Sequence, residues 1–319
     1  MAEFRTDPLR GHTVLINGQR GRRPSEFSLK IETPDPADCP FCRGHEFNTP
    51  PSIEYDLWPD WNWRVFPNRF PAVMSDPHSV IVSEFTAPAF GQHEVLVESA
   101  QHDGKAHEYS AAHWVELFRV WQRRLRSIYA MAGIQYVHIF RNQGYRGGAT
   151  LVHPHQQIVG LPMLPTAIEW RLNRLADGTS VCPHCEWVEH ERRSGQRVLW
   201  DDGELIGLAA FAPRFPYEWQ LLPCRHERFD ELSADKLSSV AGNLLRGLRA
   251  LAAVCDEPDF NLLLFSTPPG FPGRPVWTLD VLPRTSTQAG FEWGTGVHIV
   301  STPPEEAGSR LRDSGAIRT

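Results

Sequence analysis

Residues 149–161 read Ala149-Thr150-Leu151-Val152-His153-Pro154-His155-Gln156-Gln157-Ile158-Val159-Gly160-Leu161. Apolar residues flank a His-x-His pair, a pattern typical of a strand, where side chains two positions apart share one face. On such a face one imidazole can hold a metal or orient a site while its neighbour attacks a phosphorus atom. Two solvated histidines on an edge strand are the alternative interpretation of the pair taken alone.

The rest of the chain is organised as an internal repeat. Three features recur in the same order in both parts: Cys39-x-x-Cys42 and Cys182-x-x-Cys185, the runs at 65–71 and 210–216, and His102 and His226. The distance from His102 to His153 nearly equals the distance from His226 to Val276. Coincidental cysteine pairs would not predict these matching distances.

Each part continues with an amphipathic helix and two apolar strands. Apolar side chains recur at helical spacing over 114–128 and again over 237–251. Apolar strands follow, at 136–140 and 156–161 in the first part and at 260–265 and 277–282 in the second. The sequence therefore predicts an α+β fold of two tandem halves, residues 1–165 and 166–319, each a mainly antiparallel sheet with packed helices.

Composition narrows the class of protein. A chain of 319 residues with 41 % hydrophobic and 22 % charged residues is typical of a globular protein with a sizeable core. The net charge of −6 argues against a general nucleic-acid binder. Because no apolar run suits a signal peptide or a membrane span, we expect a cytoplasmic protein without a membrane partner. Its six cysteines should then be reduced, so paired cysteines favour metal over disulfide.

The His153–Gln157 motif resembles the signature of galactose-1-phosphate uridylyltransferases, a transferase branch of the histidine-triad superfamily. The resemblance spans nearly the whole chain in the family's order. Its further segments are residues 3–8, 20–24, 39–42, 65–71, 94–97, 141–144, 290–296 and 303–306. This resemblance implies that each half is histidine-triad-like.

The resemblance implies a structural zinc site. It places His102 and His153 as third and fourth ligands beside Cys39 and Cys42, a closed set of the kind that tetrahedral zinc prefers. Two buried thiols without a metal are the alternative.

A second metal set is incomplete in the sequence. Cys182, Cys185 and His226 match three ligand positions, but Val276 stands where family members commonly carry a histidine. A second zinc could be held by three protein ligands and water, or by His184 or Cys224 as a substitute, or could be absent. Only the first half should therefore carry a nucleophile.

The resemblance also implies the chemistry. It assigns His155 as the nucleophile that forms a covalent nucleotidyl-histidine, and Gln157 stands where hydrolytic members carry a third histidine. An amide cannot act as a general acid but can donate hydrogen bonds to phosphoryl oxygens, as in the ping-pong transferases. The further substrate-binding positions that the resemblance implies are Arg20, Arg23, Asn68, Asn142 and Gly148. The alternative for these positions is ordinary loop or turn residues.

The sequence and its resemblance to the family leave several functions open. The leading one is exchange of a hexose 1-phosphate with a nucleotide sugar, of the UDP-glucose and galactose 1-phosphate type. An ADP-sugar phosphorylase or adenylyltransferase of the same superfamily is the main alternative. A histidine-triad nucleotide hydrolase and a non-catalytic nucleotide sensor are further alternatives. The tail at 290–305 resembles the segment that helps bind the hexose phosphate and that crosses a dimer interface in two-subunit members, so a homodimer is also open.

Overall fold

Strands from both halves of the repeat join in a single sheet. The structure is a computed structural model that describes residues 2–17, 35–76, 87–176 and 181–317. Two predicted substrate-binding residues, Arg20 and Arg23, lie outside these described ranges.

The described ranges contain strands and helices that we number in chain order. The strands are β1 (Ala2–Thr6), β2 (Thr13–Asn17), β3 (Glu54–Tyr55), β4 (Arg64–Pro67), β5 (Gln92–Val97), β6 (Tyr136–Gln143), β7 (His155–Leu161), β8 (Val198–Asp201), β9 (Leu205–Ala209), β10 (Trp219–Pro223), β11 (Phe260–Ser266), β12 (Trp277–Pro283) and β13 (His298–Val300). The helices are α1 (Ala111–Tyr129), α2 (Thr166–Ala176), α3 (Pro183–Ser194), α4 (Ala234–Cys255), α5 (Gly290–Thr295) and α6 (Pro304–Asp313).

The large sheet has ten strands in the order β3-β4-β5-β7-β6-β11-β12-β10-β9-β8. All of its neighbouring strands pair antiparallel. The order around the central β6–β11 pair is the same on either side, with β4, β5, β7 and β6 matching β9, β10, β12 and β11. The predicted α+β architecture with antiparallel sheets and packed helices is therefore confirmed.

Helices α1 and α4 cover one face of this sheet and form the main core with it. Each helix begins at a serine whose hydroxyl accepts a hydrogen bond from the first turn, Ser110 from His113 and Ser233 from Lys236. Fully buried tryptophans fill the space between helices and strands, at positions 114, 121, 219 and 277. The two helices also pack against each other, so the halves share one core.

Alternation along β7 separates the core from the opposite face. Ile158 is fully buried in the core under the helices, and Gln156 accepts a hydrogen bond from the indole Nε1 of Trp121 in α1. Since successive side chains of a strand point to opposite faces, His155 and Gln157 lie on the face away from α1 and α4. The motif therefore contributes side chains both to the core and to a surface cleft.

A small sheet joins the two ends of the described chain. β2 pairs antiparallel with β1 and parallel with β13, and Arg5 in β1 forms an ion pair of 2.8 Å with Glu305 in α6. Among the helices that the structure describes, none is sufficiently long and apolar to cross a bilayer.

Candidate active site and metal cluster

A cleft of about 520 Å³ opens over the first half of the large sheet. His155 and Gln157 from β7 lie on its sheet side, and Asn68 follows β4 on its wall. The remaining lining residues are Asp38, Pro40, Phe41, Asn48, Thr49, Phe66, Arg69, Phe70, Val95, Thr150 and Leu151. The cleft thus combines aromatic walls with a few polar groups, as small-molecule sites do.

His155 is the first residue of β7, and its ring has a defined tautomer. Its Nδ1 lies 2.9 Å from the carbonyl oxygen of His153. Because a carbonyl oxygen only accepts, Nδ1 carries the proton and Nε2 keeps its lone pair. Burial lowers the pKa of His155 below its ordinary value, so the ring is neutral at pH 7. A neutral imidazole with a free Nε2 can act as a nucleophile.

A buried ion pair lies under His155 on the opposite face of the sheet. Glu98 accepts a hydrogen bond of 2.7 Å from Nε of Arg141 and one of 3.2 Å from the hydroxyl of Tyr109. Both charged residues are essentially inaccessible, at 0 % and 2 % exposure, so each charge is compensated by the other. This pair was not predicted from the sequence, although a glutamate directly after the apolar run 95–97 was a signal for it.

The Gln157 amide is oriented by a histidine that the sequence analysis did not select. Nδ1 of His93 accepts a hydrogen bond of 3.0 Å from the backbone N–H of Ala72, so the neutral ring carries its proton on Nε2. That Nε2 lies 2.9 Å from Oε1 of Gln157, which therefore accepts a hydrogen bond from it. Burial lowers the pKa of His93 and keeps the ring neutral. With Oε1 held by His93, the Gln157 NH₂ group is left as a donor.

The amide of Asn68 lies beside the same contact. Oδ1 of Asn68 accepts from the backbone N–H of Phe70 at 2.8 Å, so its NH₂ group is left as a donor. Its Nδ2 lies 3.1 Å from the protonated Nε2 of His93, a contact between two donors and not a hydrogen bond. The structure thus brings Asn68, Gln157 and His155 to one cleft.

The four predicted zinc ligands also come together. Ligand atoms of Cys39, Cys42, His102 and His153 all lie within 4.8 Å of one another. His153 donates from Nε2 to the carbonyl oxygen of Ser99 at 2.7 Å, which turns its unprotonated Nδ1 toward the thiols at 3.5 and 3.7 Å. Nδ1 of His102 lies 3.3 Å from Sγ of Cys42.

The chemistry of this cluster fits a metal ion. Burial and the adjacent thiol of Cys39 raise the pKa of Cys42 to about 11, because both disfavour a thiolate at Cys42. Burial lowers the pKa of His153 to about 4, so its ring is neutral and its Nδ1 can offer a lone pair to a metal ion. Two thiols and two imidazole nitrogens facing one point form a Cys₂His₂ donor set that can hold a metal.

The second cluster contains only three such residues in the described chain. Cys182, Cys185 and His226 have ligand atoms within 4.8 Å of one another, with Cys185 Sγ 3.1 Å from His226 Nε2. Val276 is fully buried among apolar side chains. Neither substitute weighed from the sequence, His184 or Cys224, belongs to this group of ligand atoms. His184 contacts the carbonyl oxygen of Pro223 through Nε2 at 2.7 Å while its buried Nδ1 has no hydrogen-bond partner within the described ranges, and Cys224 accepts from Arg192 at 3.0 Å.

In the second half, arginines lie beside the two residues that correspond to His155 and Gln157. Thr278 and Asp280 of β12 stand where the repeat places His155 and Gln157 of β7. Arg171 donates to Oγ1 of Thr278 at 3.0 Å and lies over the ring of Phe265 at 3.6 Å. Arg10 lies 3.9 Å from the carboxylate of Asp280. This half therefore presents no histidine at the position of the nucleophile.

The other predicted residues that the structure describes are not among the lining residues of this cleft. Arg141 pairs with Gln156 across β6 and β7, so Asn142 is level with His155 on the same face of the sheet. Gly148 adopts φ +86°, a left-handed conformation that favours glycine, in the loop after Asn142. In the tail, Trp293 is 76 % exposed, and Gln288 contacts His298 at 3.0 Å.

Known proteins share this arrangement of sequence and fold. The family described as galactose-1-phosphate uridyl transferase, N-terminal domain, matches residues 2–165. ADP-glucose phosphorylase of Arabidopsis thaliana is 28 % identical over 98 % of the chain and 92 % of the relative. Galactose-1-phosphate uridylyltransferase of Thermotoga maritima is 28 % identical over 98 % of the chain and 99 % of the relative.

A solved structure extends the comparison to three dimensions. The crystal structure of an ADP-glucose phosphorylase from Arabidopsis thaliana with bound ADP-glucose superposes with a TM-score of 0.85 at 27 % identity, covering 98 % of this chain and 99 % of that one. Because the family match covers half of the chain and includes the whole His153–Gln157 motif, the chain belongs to the galactose-1-phosphate uridyl transferase family.

Proposed function

We propose that the protein is a nucleotidyltransferase that exchanges the sugar phosphate of a nucleotide sugar through a covalent nucleotidyl-His155. The observation that carries this proposal is the hydrogen bond from Nδ1 of His155 to the carbonyl oxygen of His153 at 2.9 Å. It leaves the lone pair of Nε2 free on a ring that lines the cleft. Membership of the family supports the same reaction class.

The reaction proceeds in two displacements. Nε2 of His155 attacks the α-phosphorus of the nucleotide sugar, a P–N bond forms, and the P–O bond to the sugar phosphate breaks with both electrons leaving on oxygen. The nucleotidyl-imidazole keeps its Nδ1 proton, and the positive charge that develops on the ring is stabilised by the His153 carbonyl oxygen. A phosphate oxygen of the acceptor then attacks phosphorus, and the P–N bond breaks to regenerate neutral His155.

Gln157 and His93 supply a fixed donor for this chemistry. With Oε1 of Gln157 bound to His93, its NH₂ group can donate to the phosphoryl oxygens while negative charge builds on them. An amide has no proton to give to a leaving group, which suits a sugar phosphate that leaves as a stable anion. Asn68 and Asn142 would add further donors around the nucleotide.

Different observations support two candidate nucleotide donors. Family membership and the similarity to the Thermotoga maritima uridylyltransferase support UDP-glucose with a hexose 1-phosphate as acceptor. Similarity to the Arabidopsis thaliana ADP-glucose phosphorylase in sequence and fold supports ADP-glucose with phosphate as acceptor. Both reactions use the same covalent step, so the nucleotidyl-His155 is common to both proposals.

We further propose that Cys39, Cys42, His102 and His153 hold a zinc ion. When bound, a closed tetrahedral zinc supplies structural cross-linking. His153 would then bind metal through Nδ1 while its own carbonyl oxygen orients His155, so the metal cluster and the nucleophile are coupled through one residue.

Incubation with a nucleotide sugar should label His155. Intact-mass spectrometry of protein mixed with UDP-glucose or with ADP-glucose should show one added nucleotide monophosphate with at least one of them. The base that is transferred identifies the donor. His155→Ala should show no adduct because it lacks the attacking nitrogen, whereas His190→Ala, at an exposed histidine, should react like the native protein. An adduct that persists in His155→Ala would contradict the assignment of the nucleophile.

His93→Leu should slow nucleotidyl transfer about 2- to 10-fold, because this rate ratio corresponds to the free energy of one neutral hydrogen bond. The leucine removes the N–H that orients Gln157 while keeping an apolar body of similar size. His93→Gln keeps a donor near the position of Nε2 and should recover most of the rate. In a Gln157→Leu background the effect of His93→Leu should vanish, and an equal loss in both backgrounds would refute the orienting role. The measurement is the single-turnover rate of adduct formation.

Cys42→Ser should bind one zinc ion fewer than the native protein, because a hydroxyl is a poor zinc ligand beside a thiolate. Metal-free protein is dialysed against zinc, and the bound metal is counted by elemental mass spectrometry. Cys255→Ser, at a thiol outside both clusters, is the control and should keep the native zinc content. Equal zinc in Cys42→Ser and native protein would show that this cluster does not hold the ion.

A further inference from the structure

The loop between β6 and the histidine motif is held by the second half of the chain. The backbone N–H of Arg146 donates to the carboxylate of Asp259 at 2.7 Å. Gly144 has φ +71°, and a Cβ built on it would lie 1.7 Å from Oδ1 of Asp259. A Cβ on Gly147 would lie 2.9 Å from the carbonyl oxygen of Phe260. The glycines thus let this loop sit directly against the start of β11.

Asn261 of β11 is the side chain that connects this contact to the active site. It is 8 % exposed and pairs with Asn142 across the β6–β11 seam. Its NH₂ group donates to the carbonyl oxygen of Gly147 at 2.6 Å and to Oδ1 of Asn142 at 2.8 Å. Its Oδ1 accepts from Nη1 of Arg284 at 3.0 Å. Since a carbonyl only accepts and a guanidinium only donates, the orientation of the Asn261 amide is fixed from both ends.

The orientation of Asn142 follows from that of Asn261. Oδ1 of Asn142 is taken by Asn261, so its NH₂ group points the other way, toward the glycine loop. A Cβ built on Gly148 would lie 3.8 Å from Nδ2 of Asn142, an ordinary contact distance, so this NH₂ group lies beside the glycine loop. Asn142 is level with His155 on the same face of the sheet, since the preceding Arg141 pairs with Gln156.

We propose that Asn261, in the half that lacks a nucleophile, is a positioning residue for nucleotidyl transfer. It holds Asn142 with its NH₂ group toward the phosphoryl group bound at His155, and Arg284 in turn holds Asn261. A flipped Asn142 amide would present its oxygen to the phosphoryl oxygens and repel them. The inference rests on the proposed nucleotidyl transfer and assigns to the second half a direct part in it.

The variant Asn261→Asp tests this role with almost no change of shape. The new carboxylate keeps the contact with Arg284 but has no N–H, so it faces Oδ1 of Asn142 and the Gly147 carbonyl oxygen with acceptors only. Asn142 should then turn its NH₂ group toward the carboxylate and its oxygen toward the phosphoryl group. We expect the single-turnover rate of adduct formation to fall about 10- to 100-fold, since a hydrogen bond to a charged group is lost. Asn173→Asp, at an exposed asparagine of α2, controls for the added charge and should keep the native rate.

A double-mutant cycle separates positioning from general damage. In an Asn142→Ala background the change Asn261→Asp should have little further effect, because the group that it turns is absent. An equal loss in both backgrounds, or a native rate in Asn261→Asp, would overturn the role of Asn261 while leaving nucleotidyl transfer intact. Absence of an adduct in the native protein with either nucleotide sugar would overturn the proposed function and this inference with it.

Discussion

Hydrogen bonding between β6 and β11 is the constraint on which the rest of the structure depends. This antiparallel pair joins the strands of both halves into one ten-stranded sheet. Because the sheet is continuous, α1 and α4 can share one core on one face, and the cleft can form on the other. The same pairing sets Asn261 opposite Asn142, so the seam between the halves passes beside the strand that carries His155.

Backbone carbonyls fix the chemistry of the motif. The carbonyl oxygen of Ser99 accepts a hydrogen bond from Nε2 of His153, which turns Nδ1 toward the thiols. The carbonyl oxygen of His153 accepts one from Nδ1 of His155, which leaves Nε2 for the cleft. Two histidines two residues apart therefore serve different purposes with opposite tautomers. The second half has no such pair at the matching position, where Arg171 and Arg10 approach Thr278 and Asp280 instead. Its contribution to the site is made through β11.

Local pattern was sufficient to predict the elements and the residues that share a face. The helical spacing at 114–128 and 237–251 predicts α1 and α4, and the resemblance to the family implies the four-residue and three-residue clusters that the structure brings together. The pairings of His93 with Gln157, Glu98 with Arg141, and Asn261 with Asn142 were not predicted. Each depends on the register of strands or loops far apart in sequence, and a shift of one residue would turn these side chains to the other face.

In the proposed mechanism the nucleotidyl group is transferred twice, first from the nucleotide sugar to His155 and then from His155 to the acceptor. The stereochemistry at phosphorus tests this claim most directly. A nucleotide sugar that labels the protein would be supplied as a single α-phosphorothioate diastereomer, and the configuration of the product would be determined by phosphorus NMR. Two in-line displacements, each with inversion, predict net retention of configuration. Net inversion would show a single direct transfer between donor and acceptor and would contradict the covalent mechanism.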